Sequence, residues 1–182
     1  APLAHSRTVG ILGLGELGRR SARYLLAAGF NVCGWSRRLK SEPGVACYSG
    51  ETGLKEVLGR SDYLVLLLPL TEETEGILGG ENLAMLPKGA VVLNPGRGSL
   101  IRDEALLDAL GDGRLRHAVL DVFRTEPLAP GHPYWAHPRV TVTPHIASAT
   151  RPETASDTIA ENIRRGEAGE PFLYLVDRGA GY

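Results

Sequence analysis

Val9-Gly10-Ile11-Leu12-Gly13-Leu14-Gly15-Glu16-Leu17-Gly18 decides the fold of this chain. A short apolar run leads into three glycines spaced G-x-G-x-x-G, and an amphipathic segment over 17–28 follows at once. Such a series predicts a strand, a tight turn and a helix. The first glycine permits the turn, the second lets a pyrophosphate approach the backbone, and the third lets the helix pack close to the strand. The helix start at Glu16 and Leu17 would present its amides and positive dipole end to the phosphates. Alone the glycine pattern is a weak signal; between a strand and a helix it has the context that a dinucleotide site requires.

Outward from this unit, β-rich and helical patterns alternate. Strands are predicted at 8–12, 31–35, 63–67, 90–93, 117–120 and 140–143, with amphipathic segments at 54–58, 81–85 and 104–110. Several of the strands are apolar throughout, as expected where helices cover both faces. The predicted fold is α/β: a doubly wound, Rossmann-like parallel sheet with a C-terminal helix and tail. Gly29, Gly59 and Gly113 are read as helix stops. Residues 125–138, with Pro127, Pro130, Pro133 and Pro138, predict an ordered loop. Trp135 within it is expected to be buried rather than to touch substrate. A helix is predicted at 152–165, with proline early and Glu153 in its first turn. The tail's apolar patch at 172–176 needs a surface to pack against.

Bulk properties narrow the function classes. The chain has 182 residues, enough for one domain with a small appendage, and its formal net charge is -1. That balance points to no nucleic acid and no anionic membrane. No apolar run approaches the ~20 residues of a membrane span. Cys33 and Cys47 have no nearby His or Cys partner in sequence and read as inert thiols of a reducing, cytoplasmic compartment. No residue set is assigned to a metal.

The second strand bears on the cofactor. An NAD site usually carries an acid at its end, holding the ribose 2′-hydroxyl. Here the sequence is Trp35-Ser36-Arg37-Arg38, with Ser36 in the acid's place. Two guanidiniums suit a 2′-phosphate, so NADP (as NADPH) is expected over NAD. The alternative is a solvated basic turn formed by Arg37, Arg38 and Lys40.

Three polar residues follow later strands. Arg97 lies in Asn94-Pro95-Gly96-Arg97-Gly98, Glu126 follows Leu120-Asp121-Val122-Phe123, and His145 follows Val142-Thr143-Pro144. Taken singly, each has a plain structural explanation; together, downstream of a dinucleotide fingerprint, they suit hydride transfer to a carbonyl beside a carboxylate. Negative charge develops on the carbonyl oxygen, and a protonated imidazole can supply a proton to it. A neighbouring carboxylate favours the imidazolium and orients the ring. Arginine can fix the substrate carboxylate with two parallel hydrogen bonds.

Those motifs, with Leu68-Pro69-Leu70-Thr71, Glu73-Thr74-Glu75-Gly76 and Thr143–Ser148, resemble the D-isomer-specific 2-hydroxyacid dehydrogenase family. Trp35-Ser36-Arg37, residues 133–140, Thr150-Arg151-Pro152 and the ending Val176-Asp177-Arg178-Gly179-Ala180-Gly181-Tyr182 are most similar to its glyoxylate/hydroxypyruvate reductase A branch. The resemblance implies NADPH-dependent reduction of a small 2-keto acid such as glyoxylate or hydroxypyruvate. It makes Arg97 the substrate-carboxylate residue, Glu126 the partner of the histidine and His145 the acid/base. Asp121 would contact the nicotinamide end, where a strand-end cap is the other reading. Pro69 would line the cofactor cleft. Gly96 stands where many relatives carry alanine. The family's substrate domain, expected before the fingerprint, is not in this sequence. The resemblance therefore divides the chain into a dinucleotide-binding domain over 1–151 and a helix and tail over 152–182 that would pack partly on that domain. Cofactor binding with weak or no turnover is expected of this chain alone, with higher mobility in the tail and homodimerisation through the cofactor domain. A non-catalytic NAD(P)-sensing or dimerisation module is the rival reading, disfavoured by the complete Arg97, Glu126 and His145 set.

Overall fold

The computed structural model describes residues 3–148 and 151–179. Thr150, Ala180, Gly181 and Tyr182, used above in the family resemblance, lie outside them. Contacts group the chain into two units, Ala1–His145 and Ile146–Tyr182.

The first unit is built on a parallel sheet of seven strands: β1 (Thr8–Leu12), β2 (Asn31–Trp35), β3 (Ala46–Tyr48), β4 (Tyr63–Leu66), β5 (Ala90–Asn94), β6 (Leu115–Leu120) and β7 (Val140–Val142). Their order across the sheet is β3-β2-β1-β4-β5-β6-β7, and every pairing is parallel. Parallel neighbours require crossovers, and helices supply most of them: α1 (Glu16–Ala27), α2 (Gly50–Arg60), α3 (Gly80–Met85) and α4 (Asp103–Gly111). A one-turn helix, α5 (Pro133–Ala136), precedes β7. Successive strands run outward from β1 in both directions, so the order reverses between β1 and β4. Ligands of open α/β sheets bind beyond the carboxyl ends of the strands at such a point.

Alternation along β1 shows why both faces need covers. Leu12 belongs to a core with Leu64, Leu66 and Val92 of the sheet and Leu58, Leu83 and Leu106 of α2, α3 and α4. Ile11, one residue earlier, joins Val9, Val32, Leu14 and Ala22 on the other face, where α1 packs. Successive strand side chains point to opposite faces, so one apolar run serves two cores.

Some expectations need correcting. Gly59 is no helix stop: α2 continues to Arg60, and its end is at Ser61, whose hydroxyl donates to the Val57 carbonyl at 2.6 Å. Gly29 and Gly113 do adopt positive φ, 88° and 75°, just beyond α1 and α4. The predicted loop over 125–138 contains α5, because Pro133 begins a turn whose first amide donor, on Tyr134, meets the His132 ring. That turn sends Tyr134 inward, 2% exposed, and leaves Trp135 54% exposed, with its indole donating to the Ala129 carbonyl. Successive helical residues point about 100° apart, so burying one aromatic exposed the other. Strand β3 was not anticipated: three half-buried residues carry too little pattern.

The second unit contains α6 (Pro152–Ala168), closed by Gly169 at φ 69°. Arg164 and Arg165 both bond Glu161, at 2.9 and 2.8 Å, and push its carboxyl down to about 2. Asn162 binds the following segment through both Leu173 backbone groups. Phe172, Tyr174, Leu175 and Val176 are exposed.

Candidate functional site

The turn between β1 and α1 gives each glycine of the fingerprint a separate reason. Gly13 has φ 110°, and a Cβ there would lie 2.4 Å from the Leu67 carbonyl oxygen. At Gly18 a Cβ would lie 1.8 Å from the Gly13 carbonyl oxygen, so helix and strand turn touch backbone to backbone. At Gly15 it would meet nothing within 4 Å. The open side of the turn is thus at the middle glycine, at the helix end whose unpaired amides suit an anion. Glu16 sits in that first turn with its carboxylate paired to Arg19, and Leu17 is exposed. The residues present fit a dinucleotide pyrophosphate.

Beyond β2, Ser36 is buried and its hydroxyl donates to the Arg38 carbonyl at 2.8 Å. This bond folds the segment into a turn that leaves both Arg37 and Arg38 exposed. Arg37 reaches Glu73 at 3.8 Å. Glu42, later in the loop, is buried and held by Arg23 of α1 at 2.6 Å. Pro69, half-buried after β4, accepts from the Thr74 hydroxyl through its carbonyl.

The three later residues come from the ends of neighbouring strands. After β5, Asn94 is 1% exposed; its amide donates to the Arg97 carbonyl at 2.9 Å, and its side-chain oxygen accepts from the Gly96 amide at 3.1 Å. The side chain thereby shapes the loop that presents Arg97, whose guanidinium bonds the Gly96 carbonyl at 2.7 Å. After β6, Glu126 turns back to accept from the Phe123 amide at 2.9 Å. Its other oxygen meets His145 Nδ1 at 2.7 Å. His145 has φ 54°, in the left-handed region that non-glycine residues seldom occupy. Such outliers cluster at functional sites, where surrounding structure enforces them. Asp121 is buried and accepts from the Thr143 hydroxyl.

The His145 hydrogen bond holds the Glu126 carboxyl below the ordinary glutamate range, helped by the Phe123 amide and by the Arg97 charge. Arg97, Glu126 and His145 thus share one electrostatic environment. An ionised carboxylate only accepts, so Nδ1 carries a hydrogen and Nε2 is left for chemistry. The pairing's stabilising contribution is complete above the ordinary glutamate value and is lost as pH falls through the lowered one. A carboxyl-carbon NMR titration should place the Glu126 midpoint below that ordinary value; a midpoint at or above it would contradict the pairing.

Sequence reading missed Asn94 as a loop former, although an Asx residue followed by Pro-Gly is a turn signal. It also missed Thr143, whose bond to Asp121 depends on two strands meeting far apart in sequence.

The sequence profile of the D-isomer specific 2-hydroxyacid dehydrogenase, NAD binding domain, matches residues 2–147. The chain belongs to this family. Glyoxylate/hydroxypyruvate reductase A of Salmonella typhimurium is 48% identical over 175 residues, which cover 96% of this chain and 56% of that protein. The chain therefore spans about 56% of the length of such curated relatives. Among solved family structures, a D-isomer specific 2-hydroxyacid dehydrogenase of Xanthobacter autotrophicus Py2, in complex with NADPH and MES, superposes with a TM-score of 0.96 at 48% identity, covering 100% of this chain and 75% of that one. An NADPH-dependent glyoxylate/hydroxypyruvate reductase of Sinorhizobium meliloti, in complex with NADP and sulfate, gives 0.95 at 42% identity, covering 100% and 58%. The fingerprint and the Arg97, Glu126 and His145 loops all fall within the family match.

Proposed function

We propose that this chain is the cofactor-binding part of a reductase that converts a small 2-keto acid, such as glyoxylate or hydroxypyruvate, to the 2-hydroxyacid with NADPH. The observation that carries the reading is the 2.7 Å Glu126–His145 pair beside Arg97, on the same sheet as the open glycine turn. A reduced nicotinamide bound in the cleft supplies the hydride. Arg97 grips the substrate carboxylate and so orients the neighbouring carbonyl for attack. His145, with Nδ1 committed to Glu126, delivers a proton from Nε2 to the carbonyl oxygen as it gains charge. Glu126 holds the ring's orientation and balances the imidazolium charge. In this reading Asp121 would contact the nicotinamide end and Pro69 would line the cofactor cleft.

Arg37 and Arg38 take the 2′-phosphate. The reading is supported by a turn that exposes both guanidiniums and by the absence of a carboxylate at Ser36. We further propose that 1–151 is the dinucleotide-binding domain and that 152–182 packs partly on a substrate domain. Homodimerisation through the cofactor domain, checked by sedimentation at several concentrations, and a cytoplasmic location belong to the same reading. Neither cysteine is in a disulfide, and no helix among the described residues is long and apolar enough to cross a membrane.

Paired calorimetric titrations of the chain with NADPH and NADH test the cofactor assignment. NADPH should bind more tightly by about tenfold or more, the scale of one charge-assisted contact. Equal binding, or preference for NADH, would refute the role given to Arg37 and Arg38.

A further inference from the structure

We propose that Glu73 sets the affinity of the cofactor cleft for a 2′-phosphorylated dinucleotide by competing with that phosphate for Arg37. The inference rests on the assignment of Arg37 to the 2′-phosphate. Arg37 follows β2 and Glu73 lies in the turn that follows β4; β1 runs between those two strands. The ion pair from Arg37 Nη1 to Glu73 Oε2, at 3.8 Å, therefore joins segments from opposite sides of the β1 glycine turn.

Both ends of the pair stand on fixed backbone. On one side the buried Ser36 hydroxyl donates to the Arg38 carbonyl at 2.8 Å. On the other, the buried Thr74 hydroxyl accepts from the Thr71 amide at 2.8 Å and donates to the Pro69 carbonyl at 2.7 Å. Two locked turns, rather than two long flexible side chains alone, bring the charges together. The Glu73 side chain is 72% exposed and contributes little to the core. The same turn sends its next acid elsewhere: Glu75 pairs with Arg124, of the loop that carries Glu126, at 3.5 Å.

A guanidinium presents donor faces that suit a carboxylate and a phosphate equally well. Glu73 therefore opposes a 2′-phosphate in two ways. Its attraction for the guanidinium, at 3.8 Å, must be given up before the phosphate can draw Arg37 to itself, and its own charge repels an anion brought close to Arg37. A cofactor with a 2′-hydroxyl meets neither penalty. The acid tempers the preference that Arg37 and Arg38 create, so the phosphorylated cofactor, oxidised or reduced, is held less tightly.

Calorimetric titration of the 182-residue chain with NADPH and with NADH, for wild type, Glu73→Gln, Arg37→Ala and the double variant, tests this. Glu73→Gln should tighten NADPH by about two- to fivefold, with a smaller gain at high salt, and leave NADH unchanged. With Arg37→Ala present the gain should shrink, because only the direct repulsion between Glu73 and the phosphate is left. NADPH binding that is unchanged or weaker in Glu73→Gln overturns the proposal. So does an equal gain for NADH, or a gain that Arg37→Ala leaves undiminished. If Arg37→Ala weakens NADPH but Glu73→Gln does nothing, only the competition is wrong. If Arg37→Ala has no effect on NADPH, or the wild-type chain binds neither cofactor, the proposal falls together with the 2′-phosphate assignment.

Discussion

Replacing His145 with glutamine in the full-length protein is expected to lower kcat for 2-keto acid reduction by about 10²–10⁴-fold, the usual worth of a positioned general acid. Glutamine approximates the reach of the ring to Nε2 but loses the Nδ1 nitrogen that meets Glu126 Oε2 at 2.7 Å, and its amide is no acid. It has no proton to yield at the position of Nε2. Cofactor binding should persist, because the glycine turn and the arginines after β2 belong to other loops. Steady-state kinetics with calorimetric binding on the same preparation separates the two effects. Turnover near wild type would remove His145 from the chemistry. A wild-type protein that binds NADPH and reduces no keto acid would favour the sensing module instead.

Gly98→Ala is expected to destabilise the fold by about 3 kcal/mol, the upper end for overpacking. A Cβ at Gly98 would lie 1.9 Å from the Phe123 carbonyl carbon, 2.2 Å from its oxygen and 2.4 Å from the Arg124 nitrogen. All three are backbone atoms, so no rotamer change relieves the clash. The loop after β5 would have to lift away from the loop after β6, separating Arg97 from Glu126. Gly59→Ala is the contrasting substitution: it sits within α2 with nothing within 4 Å of its Cβ and should stabilise by roughly 0.5–1 kcal/mol. Urea denaturation of both variants checks the pair of signs. Similar small changes at the two positions would mean that the β5 and β6 loops are not in the contact described.

The difference between these two glycines marks the limit of the sequence. Gly13, Gly15 and Gly18 were legible because strand and helix flank them in one continuous segment. The strands of the sheet centre were legible as apolar runs, since burial on both faces leaves polar residues no place. Arg97 could be read as a loop residue between glycines, but not that Gly98 is required by the backbone of Phe123, a neighbour brought near only by pairing of β5 with β6. Gly59 was misread for the complementary reason. A glycine near the end of a helical pattern looks like a stop, whereas the buried Ser61 sets the boundary. Trp135 is the aromatic expected inside, while its neighbour Tyr134 takes that place and donates to Asp103 of α4 at 2.8 Å. The Arg37–Glu73 pair has no local signature, as its members are brought together by a strand that neither belongs to.

Arg97, Glu126 and His145 follow β5, β6 and β7, which are consecutive in the chain and adjacent in the sheet. The sheet is therefore the ruler of the site. Parallel strands lie about 4.8 Å apart whatever the length of the chain between them. The connections that lead back from one strand to the start of the next run through α4, and through the proline-rich stretch with α5, and neither sets the lateral interval between the three groups. Lengthening or rewriting the outer parts of those connections would alter the surface and leave the spacing of guanidinium, carboxylate and imidazole to the hydrogen-bond ladder. Chemistry and periphery can thus diverge at different speeds in one gene, because the interval between the strand ends is stored in the backbone, and only the short loop starts held by Asn94 and Glu126 carry the three groups across it.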